Sequence, residues 1–109
     1  MANNAVLDGV FTALSDPTRR AVIQRLGRGP ATVSELAEPF AITLPSFLKH
    51  VRVLEASGLI RTTKSGRVRT CTLRPEELEP VADWLAAQRD LWRDRTDRLE
   101  ALLTDHQGA

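Results

Sequence analysis

Two groups of basic residues are spaced for one kind of chemistry. Lys49, His50 and Arg52 fall within four positions, and Arg61, Lys64, Arg67 and Arg69 within nine. Cations at this density form charge-assisted hydrogen bonds to phosphate oxygens, and arginine or lysine also matches the acceptors on a guanine edge. Just before the first group stand two hydroxyls, Thr43 and Ser46, and two leucines, Leu44 and Leu48. The leucines face either a ligand or the preceding helix; facing out, Leu48 would suit a thymine methyl. Other chemistries find few residues. The lone cysteine, Cys71, and the two histidines, His50 and His106, lie far apart, whereas soft and borderline metals want clustered ligands. Asp83, Asp90, Asp94 and Asp97 have no histidine near them until His106 and read as a solvated face. There is no Gly-rich phosphate loop, no nucleophile motif and no histidine with an activating partner, so no catalytic residue, metal or cofactor is expected. Cys71 alternates with Leu73 and reads as a small buried hydrophobe, with an oxidisable switch as the alternative.

The elements that hold these residues follow from periodicity and punctuation. Val6, Val10, Phe11 and Leu14 mark one face of a first helix over 5–14. Asp16 and Pro17 then cap and start a second helix that ends at Leu26, with Val22, Ile23 and Leu26 inward. Thr32 to Glu35 matches a capping box opening a short helix that Pro39 ends. Phe40 and Ile42 are expected to anchor the turn that follows. Thr43 caps the next helix, over 44–57, whose Phe47, Val51 and Leu54 form the core face. Residues 59–64 and 67–73 read as two strands around a Ser65-Gly66 turn. The last helix is expected over 75–104, with a stripe of Leu78, Val81, Leu85, Trp92, Leu99 and Leu102 too wide for one small subunit to cover.

Bulk properties agree. The 109 residues suffice for one domain, 1–109, divided into N-terminal helices (5–31), a helix-turn-helix (32–58), a wing (59–73) and a C-terminal dimerisation helix (75–104). Charged residues at 27% and hydrophobic ones at 42% are ordinary for a globular chain. No apolar run spans a bilayer and the N-terminus is no signal sequence, so a cytoplasmic location is expected. Net charge is only +1, but it is divided. Residues 15–74 hold eleven Lys/Arg against four Asp/Glu, and residues 75–109 hold four arginines against nine acids. Nucleic acid needs a local basic surface rather than a basic total.

The stretches DPTRRAVIQRL, TVSELAEPFAITLPSFLKHVRVLEASGLI and SGRVRTCTL, in that order, resemble the ArsR/SmtB family of bacterial winged-helix repressors over 6–103. The resemblance implies a mainly α fold with five helices and a two-stranded wing, dimerising through the first and last helices and binding a palindromic operator. It implies DNA contacts from Thr43, Leu44, Ser46, Leu48, Lys49, His50, Arg52, Lys64, Arg67 and Arg69. It places Val6, Val10, Leu85, Trp92, Leu99 and Leu102 at the dimer interface. Metal-sensing members carry a cysteine pair in the helix that here holds Ser34, Leu36 and Ala37, so this chain falls in a branch without the metal motif. Leu44 and Leu48 stand where the family often has polar base readers. The expected function is a homodimeric, metal-independent repressor. The alternatives are a winged helix that binds protein rather than DNA, or a repressor gated by a small molecule or by oxidation of Cys71.

Overall fold

A computed structural model describes residues 2–107. In chain order the elements are α1 (Ala2–Leu14), α2 (Pro17–Leu26), β1 (Ala31–Thr32), α3 (Val33–Ala37), α4 (Leu44–Ala56), β2 (Ile60–Ser65), β3 (Val68–Leu73), a 3₁₀ turn (Pro75–Leu78) and α5 (Glu79–Gln107). They form two compact units, one ending at Glu79 and the other beginning at Pro80.

In the first unit, the corner between α1 and α2 is built by the DPTRR stretch. The Asp16 carboxylate accepts from the backbone amide of Arg19 at 3.1 Å, and Pro17 fills the first helical position, where no amide is needed. The two arginines then reach back across the corner. Arg19 donates to the carbonyls of Ala13 (2.7 Å) and Thr12 (3.0 Å), and Arg20 donates to that of Leu14 (2.8 Å). These are carbonyls at the end of α1 with no partner in the helix itself, and a cation there also suits the helix dipole.

The helix-turn-helix follows. Thr32 accepts from the amide of Glu35 at 3.1 Å, while its own hydroxyl donates to the Glu35 carboxylate, so the reciprocal partner is the threonine side chain rather than its backbone amide. Phe40 anchors the turn by stacking on Phe47 with ring centroids 5.7 Å apart. Ile42, expected to share that role, is 42% exposed. The turn is short, and once Phe40 fills the space over Phe47 the side chain two positions on points outward. Thr43 caps α4, and Phe47, Val51 and Leu54 are its buried face.

The sheet has three strands, ordered β1-β3-β2 and antiparallel throughout. β1 adds only Ala31 and Thr32, paired with Cys71 and Thr70. Two residues leave no alternation to read, and their pairing is set by tertiary proximity. The β2–β3 turn is Gly66-Arg67 rather than Ser65-Gly66, because Ser65 pairs with Val68. Gly66 has φ +63° and Arg67 is not positive, the sign pattern of a type II′ hairpin turn, which demands glycine first.

The helix expected from residue 75 begins at Glu79. Pro80 has no amide hydrogen to give the carbonyl of Glu76, so an α-helix cannot run through from Pro75. The chain makes a 3₁₀ turn instead, in which Glu79 donates to that carbonyl. From Glu79 the helix α5 then runs for 29 residues to Gln107 and makes up the described part of the second unit. Within the chain every described side chain from Ala87 to Thr104 is exposed, Trp92 at 68%. No helix among the described residues is long and apolar enough to cross a membrane.

Phe47 is fully buried and holds both the turn and α4. Phe47→Ala is expected to cost about 3–5 kcal/mol, read as a lowered urea midpoint with an unchanged slope.

Candidate nucleic-acid interface

Residues on a helix advance by about 100° each, so burying Phe47, Val51 and Leu54 determines where every other α4 side chain points. Lys49 and Arg52 fall opposite the core and are exposed. Leu44 and Leu48 fall on the flank toward the hairpin. Leu44 is 53% exposed and Leu48 partly so, which places neither in the core. His50 falls on the other flank, toward α2. Its Nδ1 lies 3.1 Å from the Arg19 guanidinium and 3.7 Å from the Asp16 carboxylate. Arginine only donates, so Nδ1 accepts from Arg19, and the longer separation from Asp16 is not a hydrogen bond. The expectation that His50 faces DNA with Lys49 is therefore corrected. It ties α4 to the α1–α2 corner instead.

The hairpin supplies the other wall of the surface. The strand faces that bury Ile60 and Cys71 continue beyond the core as Lys64 and Arg69, directly opposite each other in register, with Arg67 in the turn. Like charges facing across a ladder are mildly destabilising, so the tip gives up a little stability to hold this arrangement. Between tip and helix lies a groove of about 510 Å³ whose apolar lining includes Leu44, Leu48 and Val68 and whose basic lining is Lys64, Arg67 and Arg69. The Thr62 hydroxyl hydrogen-bonds the Glu55 carboxylate, which joins the wing to α4.

Several expected contributors are already engaged. Thr43 accepts from the amide of Ser46 at 3.3 Å and donates to the Ser46 hydroxyl at 3.0 Å, so its hydrogen is used in the cap. Arg19 and Arg20 close α1, and Arg25 donates to the carbonyl of Gly29 at 3.1 Å. Arg74 pairs with Glu76 and Glu77. The basic excess of residues 15–74 is thus partly internal, while the exposed remainder includes α4 and the wing. Cys71 is fully buried. Burial pushes its thiol pKa up, Glu55 adds to this and Arg69 opposes it. Oxidant attack needs an exposed thiolate, so the structure argues against the oxidation switch. Among the described residues no three His, Cys, Asp or Glu side chains gather to hold a metal ion; the side chain of His106 lies outside the described residues.

Of the residues expected at a dimer interface, Val6, Leu85, Trp92, Leu99 and Leu102 are exposed. Val10 is not: it is 0% exposed, packed within the first unit, and has no surface left for a partner. Sequence reading also missed Ser34 and Val68, which line the groove.

A capped helix-turn-helix followed by a basic hairpin defines a winged-helix regulator. The sequence pattern of a helix-turn-helix domain family matches residues 14–63. The chain is 38% identical over 104 residues to an HTH-type transcriptional regulator of Mycobacterium tuberculosis, covering 93% of this chain and 91% of that one. It is 32% identical over 79 residues to the transcriptional repressor SdpR of Bacillus subtilis, covering 72% and 88%. A crystal structure of an ArsR family transcriptional regulator superposes with a TM-score of 0.80 at 60% identity, over 83% of this chain and 93% of that one. The chain belongs to the ArsR family of winged helix-turn-helix transcriptional regulators, which are not enzymes.

The corner that positions α4 carries a pH signature. The amide of Arg19, chiefly, holds the Asp16 carboxyl below its ordinary range, with desolvation opposing and the Arg19 charge adding attraction. A depressed folded value stabilises above the unfolded pKa and is lost as pH falls through the folded one. Asp16→Ala should cost about 1 kcal/mol near neutrality. The gap to the parent protein should narrow below about pH 4, measured by urea denaturation across pH.

Proposed function

We propose that the protein is a homodimeric transcriptional repressor that binds an inverted-repeat operator in the bacterial cytoplasm, without a metal effector. The carrying observation is the groove in which Leu44 and Leu48 of α4 meet Lys64, Arg67 and Arg69 of the wing, with Lys49 and Arg52 exposed on the same helix. An α-helix fits the major groove, and a basic hairpin beside it reaches the flanking phosphates or the minor groove. In this reading Lys49 and Arg52 meet phosphates or guanine edges, Ser46 offers the hydroxyl hydrogen left over from the cap, and Lys64, Arg67 and Arg69 neutralise backbone. Repression is the role named for SdpR, and it is carried to this chain as part of the proposal.

The dimer reading rests on α5. Leu85, Trp92 and Leu99 recur every seven residues, and all three are exposed in the single chain. A seven-residue apolar repeat on a long helix is the pattern of a helix–helix seam. Two subunits paired about a two-fold axis would present their α4 helices about 34 Å apart, one turn of DNA, which is why an inverted repeat is proposed. The metal-independent reading is supported by Ser34, Leu36 and Ala37, which stand in the helix where metal-sensing members of the family carry a cysteine pair.

Lys49→Ala or Arg67→Ala should weaken binding to DNA upstream of the protein's own gene by about tenfold. Arg67→Ala should also reduce the slope of log affinity against log salt by about 1. Titration at several salt concentrations decides this; affinity and slope unchanged in both variants would favour a protein-binding module instead. Trp92→Asp places a charge in the seam and should yield monomers by light scattering. A dimer mass retained in that variant would remove α5 from the interface.

A further inference from the structure

We infer that Leu44 and Leu48 read thymine 5-methyl groups, so that the operator half-site carries thymine where the first turns of α4 enter the major groove. The inference rests on the DNA-reading assignment above and adds the chemistry of its specificity. In a helix-turn-helix, residues at the N-terminal end of the second helix lie nearest the base edges. Here that end begins with Thr43 and Leu44. The polar atoms available there are largely used: the Thr43 hydroxyl accepts from the Ser46 amide and donates to the Ser46 oxygen. Apart from the Ser46 hydroxyl hydrogen, what this turn presents outward is hydrocarbon. Leu44 is 53% exposed, and Leu44, Leu48 and Val68 line one groove whose basic members are Lys64, Arg67 and Arg69.

An apolar strip between cations selects a target that is apolar at the base edge and anionic beside it. Thymine alone among the four bases presents a methyl in the major groove, and the phosphates flank it. The selection also works by exclusion. A cytosine amino group or a guanine carbonyl pressed against leucine loses its water and gains no hydrogen bond, which costs more than a missing methyl. Leu44 and Leu48 lie four residues apart, one above the other on the same flank of α4. Each is placed to meet its own base step.

The test uses the full chain and duplexes enriched from a randomised DNA pool. Each thymine of an enriched duplex is replaced in turn by uracil, which removes only the methyl group. The expected result is about fourfold weaker binding at one or two positions per half-site, the loss of one methyl contact. Leu44→Ala or Leu48→Ala should abolish that penalty at one of these positions while leaving salt dependence unchanged. Leu44 is exposed, so its variant leaves the core intact, and the uracil series needs no variant at all. Enriched duplexes indifferent to uracil everywhere would overturn this inference and leave DNA reading standing. A uracil penalty undiminished in both leucine variants would also overturn it. A pool with no enriched sequence would overturn the inference together with the DNA-reading assignment.

Discussion

The burial of Phe47, Val51 and Leu54 along one side of α4 is the constraint on which the rest depends. A helix has one rotation about its axis, and three side chains at these spacings remove that freedom. With them inward, Lys49 and Arg52 must point out, Leu44 and Leu48 must turn toward the hairpin, and His50 must turn toward α2. A shift of a single residue in this packing would bury Leu48 and move Lys49 off the exposed face. Phe40 strengthens the constraint from outside the helix by stacking on Phe47, which joins the turn to the helix it introduces. The same core closes on the sheet through Ile60 and Cys71, both buried, so the wing is held by the packing that orients the helix.

Around that core, polar residues fix angles rather than add bulk. Asp16, Arg19 and His50 come from α2, its cap and α4, and with the terminal carbonyls of α1 they join three helices at one corner. None is deeply buried, so each is worth little alone. Together they satisfy helix ends that would otherwise need water. The arginines involved serve the fold while still counting toward a basic sequence. Overall charge was therefore a poor guide to the binding surface, and the exposed cations of α4 and the wing are a better one.

The wing carries the opposite economy. Lys64 and Arg69 face each other across the ladder with no carboxylate between them, and Arg67 occupies the turn beside them. A hairpin selected only for stability would alternate charge sign at these positions. The arrangement is favourable only when an anion lies against it. It borders an apolar strip from α4, so the surface combines a charged rim with an uncharged centre, the combination from which the thymine reading was drawn.

Local signals in the sequence were enough for the elements with strong punctuation. Asp16-Pro17, the Thr32–Glu35 box and Thr43 marked helix starts that the structure shows, and the spacing of Phe47, Val51 and Leu54 marked the buried side of α4. These depend on hydrogen bonds within four residues or on one helix's own period, so they are written locally. Other features were decided only by what the folded chain brings together. The two residues of β1 have no pattern and become a strand because β3 passes beside them. The start of α5 moved to Glu79 because Pro80 withholds a hydrogen bond that the charge pattern at Glu76 and Glu77 does not reveal. Val10 was legible as apolar, but only packing showed it fully used within the chain. His50 and Leu44 make the distinction clearest. Both stand in the same helix beside basic residues, and their types alone allowed either to face DNA. Rotation of α4 about its core sent the histidine to Arg19 and left the leucine at the surface.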